Sequence, residues 1–147
     1  RGSVVGYAAN GEEASVYANG LAAPTGLLVE GDDLFVSDRA SGQILQIAAG
    51  GKVLTEARVV AADLTTPEGF VKFQEKFAVF EADTGQIVVV DNQGAKQVVA
   101  KVPEGSQAAS PAQPPSQVFN GITVDAEGTL FVAGESNRVL YRIANAL

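Results

Sequence analysis

The chain has 147 residues, 46% hydrophobic and 18% charged, with seventeen acidic residues against ten basic ones and a net charge of −7. That is the balance of a folded globular domain, and the scattered Lys and Arg exclude a nucleic-acid partner, which requires clustered positive charge. Histidine, cysteine, methionine and tryptophan are absent, which excludes disulfides, thiolate or imidazole metal sites, and any nucleophile–histidine pair supplied by this chain alone.

No apolar run approaches the roughly 20 residues that cross a bilayer, so no membrane span is expected. The opening Arg1-Gly2-Ser3 is neither a signal peptide nor an initiator methionine, and the chain reads as processed, excised or trimmed. Residues 3–8 and 14–18 are short runs that read as two β-strands, c and d of an incomplete four-stranded unit spanning 1–20.

From Leu21 a repeat begins. Leu21-Ala22-Ala23-Pro24-Thr25-Gly26 recurs 43 residues later as Leu64-Thr65-Thr66-Pro67-Glu68-Gly69, and the register holds to Ser41-Gly42-Gln43-Ile44 against Thr84-Gly85-Gln86-Ile87. The first full copy, 21–63, reads as strands a over 26–30, b over 34–37, c over 43–48 and d over 52–60. The second, 64–117, has a over 70–73, b over 77–80, c over 86–91 and d over 97–102. It ends in a proline-rich stretch, 103–117, where missing ladder donors favour a long surface loop or a rim over the opening. The third copy, 118–147, carries Asn120-Gly121-Ile122-Thr123-Val124-Asp125, Leu130-Phe131-Val132 and Val139-Leu140-Tyr141-Arg142-Ile143 as a, b and c without a d.

β-branched and aromatic runs separated by Gly, Asp and Asn turns are antiparallel meander strands, not helices. The expected fold is therefore all-β: a β-propeller of about three four-stranded blades, half of a six-bladed ring. Three blades cannot close a ring, since propellers use about four to eight. The ring would be completed by a second half-propeller, either an N-terminal fragment or a second copy of this chain, unless residues 14–18 supply the missing d strand in a tight pseudo-closure.

In a propeller the starts of the inner strands a converge on the axis, on the same face as the b-to-c loops. Those positions are Thr25, Glu68 and Asn120, each just before the repeat glycine. Glu68 and Asn120 carry oxygens suited to a hard cation such as Ca2+, although Pro-Glu-Gly and Asn-Gly are also ordinary turn sequences in which glycine accepts left-handed dihedrals. Asp38, Arg39, Glu81, Asp83, Glu135 and Asn137 fall in the b-to-c loops as candidate rim contacts. Tyr7, Tyr17 and Tyr141 read as blade-packing residues.

Pro67-Glu68-Gly69, with Phe119-Asn120-Gly121-Ile122-Thr123-Val124-Asp125-Ala126-Glu127-Gly128-Thr129-Leu130-Phe131-Val132, resembles the inner-strand pattern of NHL-repeat and gluconolactonase-like (senescence-marker, strictosidine-synthase-like) β-propellers. The resemblance implies that Glu68 and Asn120 stand at two of three axial calcium positions. Thr25 replaces the Asp of the third, and the histidine used by several members has no counterpart. It also implies an extracellular or periplasmic protein. Two functions are expected: a binding module presenting a ligand or protein site on the axial face, or a calcium-dependent lactone or ester hydrolase with its general base outside this chain.

Overall fold

The computed structural model describes residues 2–103, 121–134 and 139–147. These contain thirteen strands and, among the described residues, no helix long and apolar enough to cross a membrane. A two-stranded sheet pairs β1 (Gly2–Tyr7) with β2 (Glu13–Leu21). The first four-stranded blade runs in order β3 (Pro24–Glu30), β4 (Asp33–Asp38), β5 (Gln43–Ala49) and β6 (Lys52–Ala61). The second is β7 (Pro67–Phe73), β8 (Lys76–Glu81), β9 (Gln86–Val90) and β10 (Lys96–Lys101). The third sheet holds β11 (Ile122–Val124), β12 (Leu130–Gly134) and β13 (Val139–Ile143). Every pairing is antiparallel between consecutive strands, the all-β meander of propeller blades that the repeat predicts.

Turn chemistry explains the register. Gly50 and Gly51, both left-handed at φ 54° and 75°, form the two-residue connection between β5 and β6, the hairpin geometry whose twist matches that of the strands. The β3–β4 turn opens on Gly31 at φ 58°, and its repeat counterpart Gln74 adopts φ 55°. The fold thus imposes the left-handed conformation even where glycine has been replaced.

Alternation along each strand sends successive side chains to opposite faces, and each face packs on a different neighbour. Phe35, Ile44 and Ala61 of the first blade meet Phe70, Phe77, Val79, Val88 and Val90 of the second. At the centre of that interface Phe77 sits edge-on to Phe35 at 5.3 Å and to Phe70 at 6.0 Å, separations at which aromatic pairs add stabilisation beyond area burial. The opposite face of the second blade, with Phe73, Ala78, Phe80 and Ile87, packs on Ile122, Leu130 and Val132. A smaller cluster of Val4, Leu21, Val36, Leu45 and Ile47 joins β1–β2 to the first blade. Tyr17 and Tyr141 pack against these clusters, whereas Tyr7 is 64% exposed, contrary to the packing role expected of it.

The inner strands lie side by side, β7 contacting both β3 and β11. Two of these strands begin earlier than the sequence pattern indicates, at Pro24 and Pro67, because each proline opposes the last residue of the neighbouring strand b, Asp38 or Glu81. Between that pair and the regular ladder the register shifts, at Pro24/Gly26 in β3 and at Pro67/Phe70 in β7. Such bulges re-aim side chains and recur next to functional sites. Thr25 and Glu68 both lie in one.

Candidate axial site

The repeat glycine beside the site is there for closeness, not for a left-handed turn. Gly26 has no positive φ, but a Cβ on it would lie 2.6 Å from the Glu68 carbonyl oxygen and 2.8 Å from Ser37 Oγ. With no side chain in the way, the first blade closes on the backbone of the second. Ser37, fully buried, donates from Oγ to the Glu68 carbonyl at 2.6 Å and accepts the Gly26 amide at 2.8 Å. Thr25 Oγ1 lies 3.1 Å from Ser37 Oγ and donates to the Pro67 carbonyl at 3.1 Å. The peptide groups on both sides of Glu68 Cα are therefore pinned from the neighbouring blade.

The Glu68 side chain is buried, with 3% of its surface exposed. Burying a carboxylate costs several kcal/mol unless charge and hydrogen bonds compensate. Arg39, following β4 of the first blade, reaches across to it: Nε lies 3.4 Å from Glu68 Oε1, and Nη2 lies 3.4 Å from Asp83 Oδ1. The Nε contact is an ion pair without hydrogen-bond alignment, because that buried nitrogen has no hydrogen-bonded acceptor. Arg39 is thus clamped between two carboxylates of the second blade, itself 24% exposed beside a 48% exposed Asp83. Both side chains are partly exposed at the junction of the two blades.

Asp38 and Glu81, expected beside them, are buried instead. Asp38 is 2% and Glu81 6% exposed, and both carboxylates turn back onto the segment leading into their own blade. Asp38 Oδ2 and Oδ1 accept the amides of Ala22 and Ala23 at 2.7 and 2.8 Å, and Glu81 Oε1 accepts that of Thr65 at 2.8 Å. The two residues occupy the same repeat position and do the same work, capping backbone donors that no strand pairs. Thr25 likewise serves the blade junction. Asn120, Glu135, Asn137 and most of the proline-rich stretch lie outside the described residues.

Two features of the site escape a residue-by-residue reading. Ser37 stands where the next repeat has Phe80, so its polarity is visible in the sequence but its partners are not. Thr66, immediately before Pro67-Glu68, adopts φ 49°, a strained conformation for a β-branched residue. Its carbonyl accepts the Ala82 amide at 3.1 Å and its Oγ1 the Asp83 amide at 2.9 Å, so the b-to-c loop holds it there. Strained residues of this kind cluster at functional sites. The repeat equivalent, Ala23, is not left-handed.

A calcium ion takes six to eight oxygen ligands. At this position the described residues place the Glu68 carboxylate, already ion-paired with Arg39, and among the described residues no group of three His, Cys, Asp or Glu side chains is arranged to hold a metal. The described donors alone do not make a calcium site.

No protein-family model matches the chain, and no curated protein matches it in sequence. Solved structures do match its fold. Selenomethionine-substituted virginiamycin B lyase from Staphylococcus aureus aligns with a TM-score of 0.64 at 15% identity, over 98% of this chain and 46% of that one. A streptogramin B lyase aligns with a TM-score of 0.65 at 13% identity, over 97% of this chain and 45% of its own. A catalytically inactive histidine-to-alanine variant of the S. aureus lyase, with quinupristin, gives 0.65 at 14% identity over 98% and 46%. At these identities the likeness establishes the β-propeller fold, and the chain spans about half the length of the propellers it matches.

Proposed function

We propose that this chain is a binding half of a β-propeller, presenting a ligand site on its axial face around Arg39, Glu68 and Asp83, and that a second half-propeller completes the ring. The observation that carries this reading is Glu68. It is a nearly fully buried carboxylate, aimed by a bulge at the start of an inner strand and balanced by an arginine from the adjacent blade. A blade junction needs no such charge, since replacing buried ion pairs by apolar groups is often neutral or stabilising. The strained Thr66 next to it points the same way.

Binding rather than catalysis fits the residues of this chain. One neighbouring lyase is described as catalytically inactive when a histidine is changed to alanine, and this chain contains no histidine. Chemistry of that kind would have to come from groups outside it.

The test is a pair of solution NMR titrations on the isotopically labelled chain, one with quinupristin and one with calcium chloride. Shifts centred on the amides of Arg39, Thr66 and Glu68, weakened about tenfold by Glu68→Gln, support the site. Shifts confined to the outer strands β6 and β10, unaffected by that substitution, count against it.

A further inference from the structure

One repeat position tells how each blade is covered from the preceding side. It is occupied by Leu27 in β3, Phe70 in β7 and Ile122 in β11. Phe70 is 4% exposed and Ile122 9%, but Leu27 is 59% exposed, and Val29, two residues on along the same face, is 68% exposed. The next strand repeats the contrast: Phe77 and Leu130 are buried at 4% and 0%, while their counterpart Leu34 is only half-buried. Phe70 and Phe77 owe their burial to the first blade. Ile122 and Leu130 owe theirs to the β7–β8 side of the second, through Phe73, Ala78 and Phe80. Among the described residues β3 has only the two-stranded β1–β2 sheet on that side.

That sheet covers the outer part of the face and leaves the inner part open. β2 contacts β5 and β6, the outer strands of the first blade, and β1 reaches β3 near Pro24. Between β1 and β3 lies a cavity of about 280 Å³ whose walls include Val4, Val5, Pro24, Leu27 and Val36. Among the described residues β1 is paired on one edge only. An apolar face, a cavity and a free strand edge thus coincide where the other blade junctions hold an inner strand pair.

We propose that this surface, the Leu27–Val29 flank of β3 with the free edge of β1, docks an inner pair of antiparallel strands from the completing half-ring. The second of those strands hydrogen-bonds to β1, as β8 does to β9, and its apolar face covers Leu27, Leu34 and Val29. Strand addition supplies backbone hydrogen bonds and the flank supplies side-chain pockets. The inference rests on ring completion as proposed above and is independent of the axial ligand.

The chain's own β7–β8 hairpin is a suitable probe, since it already covers Ile122, Leu130 and Val132, the counterparts of Leu27, Leu34 and Val36. A second copy of residues 64–84 joined ahead of Gly2, which stands at the repeat position of Gly85, would lead into β1 as Thr84 leads through Gly85 into β9. The expected result is a Tm about 5 °C or more above that of the parent chain. Leu27→Asp, on an exposed position, should move the parent Tm by less than about 2 °C yet erase the gain in the extended chain, as should Phe80→Asp in the added copy. A gain that survives Leu27→Asp overturns the assigned surface while leaving ring completion standing. No gain, with the parent monomeric and cooperative in its melting, overturns both. A parent chain that is dimeric by light scattering and made monomeric by Leu27→Asp shows a second copy on this face, and overturns the strand-pair assignment.

Discussion

Ser37 and Glu68 are joined across a blade boundary by a 2.6 Å hydrogen bond from the serine hydroxyl to the glutamate carbonyl. The same hydroxyl accepts the Gly26 amide, so one buried side chain ties the two inner strands together beneath the candidate site. Ser37→Ala leaves a donor and an acceptor in a buried interface. The expected loss is about 1–3 kcal/mol, read as a lower urea midpoint at unchanged m-value. Gly26→Ala strains the same contact from the other side, because its Cβ meets backbone that cannot swing away. The double variant should lose less than the sum of the two. Strict additivity would mean that the two residues act independently.

Asp38 and Glu81 sort by stability. Asp38→Ala strands the amides of Ala22 and Ala23 and should cost about 2 kcal/mol. Asp38→Asn keeps one acceptor oxygen and should cost less, and Glu81→Gln, which preserves an oxygen for the Thr65 amide, least of all. Thermal melts of the three variants check the order. If all three melt with the parent, the carboxylates are rim groups after all.

A third expectation concerns the turn between β7 and β8. Gln74 holds φ 55° where the preceding blade has Gly31 at φ 58°, and a side chain other than glycine pays roughly 1 kcal/mol for that conformation. Gln74→Gly should therefore stabilise the protein by about 0.5–1 kcal/mol, despite the greater freedom of glycine in the unfolded chain. A destabilisation on chemical denaturation would show that Gln74 makes a contact worth more than its strain.

These residues also show what the sequence could reveal. Strands, their order and the blade period were legible because each rests on local rules: side chains alternate with period two, Gly-Gly closes a hairpin, and Leu64-Thr65-Thr66-Pro67 repeats Leu21-Ala22-Ala23-Pro24 in register. Position along the repeat also placed Glu68 and Arg39 at the same end of the blades. Direction was not legible. Asp38 and Arg39 are adjacent in the chain, but the first turns inward to its own incoming segment while the second crosses to the next blade. That choice depends on which backbone amides lack partners and on how far the neighbouring blade lies, both tertiary facts. Gly26 likewise reads only as the start of strand a until the second blade is seen to approach within contact distance of it.

Thr66 allows strain to be separated from function. Its left-handed backbone is held by its Oγ1, which accepts the Asp83 amide, and by its carbonyl, which accepts that of Ala82. Thr66→Gly removes the strain but also the Oγ1 acceptor, so its gain and its loss, each about 1 kcal/mol, nearly cancel. Thr66→Asn tolerates the left-handed conformation and carries a side-chain oxygen that can take the Asp83 amide. It should raise stability by about 0.5–1 kcal/mol. If the strain serves only to route the chain into β7, both variants retain the ligand-induced NMR shifts of the parent. If it aims Glu68, as the axial reading requires, Thr66→Gly weakens them more than Thr66→Asn, because only the asparagine keeps the segment before Pro67 tied to the loop bearing Asp83. Equal binding by both variants, alongside a clear stability difference between them, would reduce Thr66 to a turn residue and leave Glu68 to be placed by the blade junction alone.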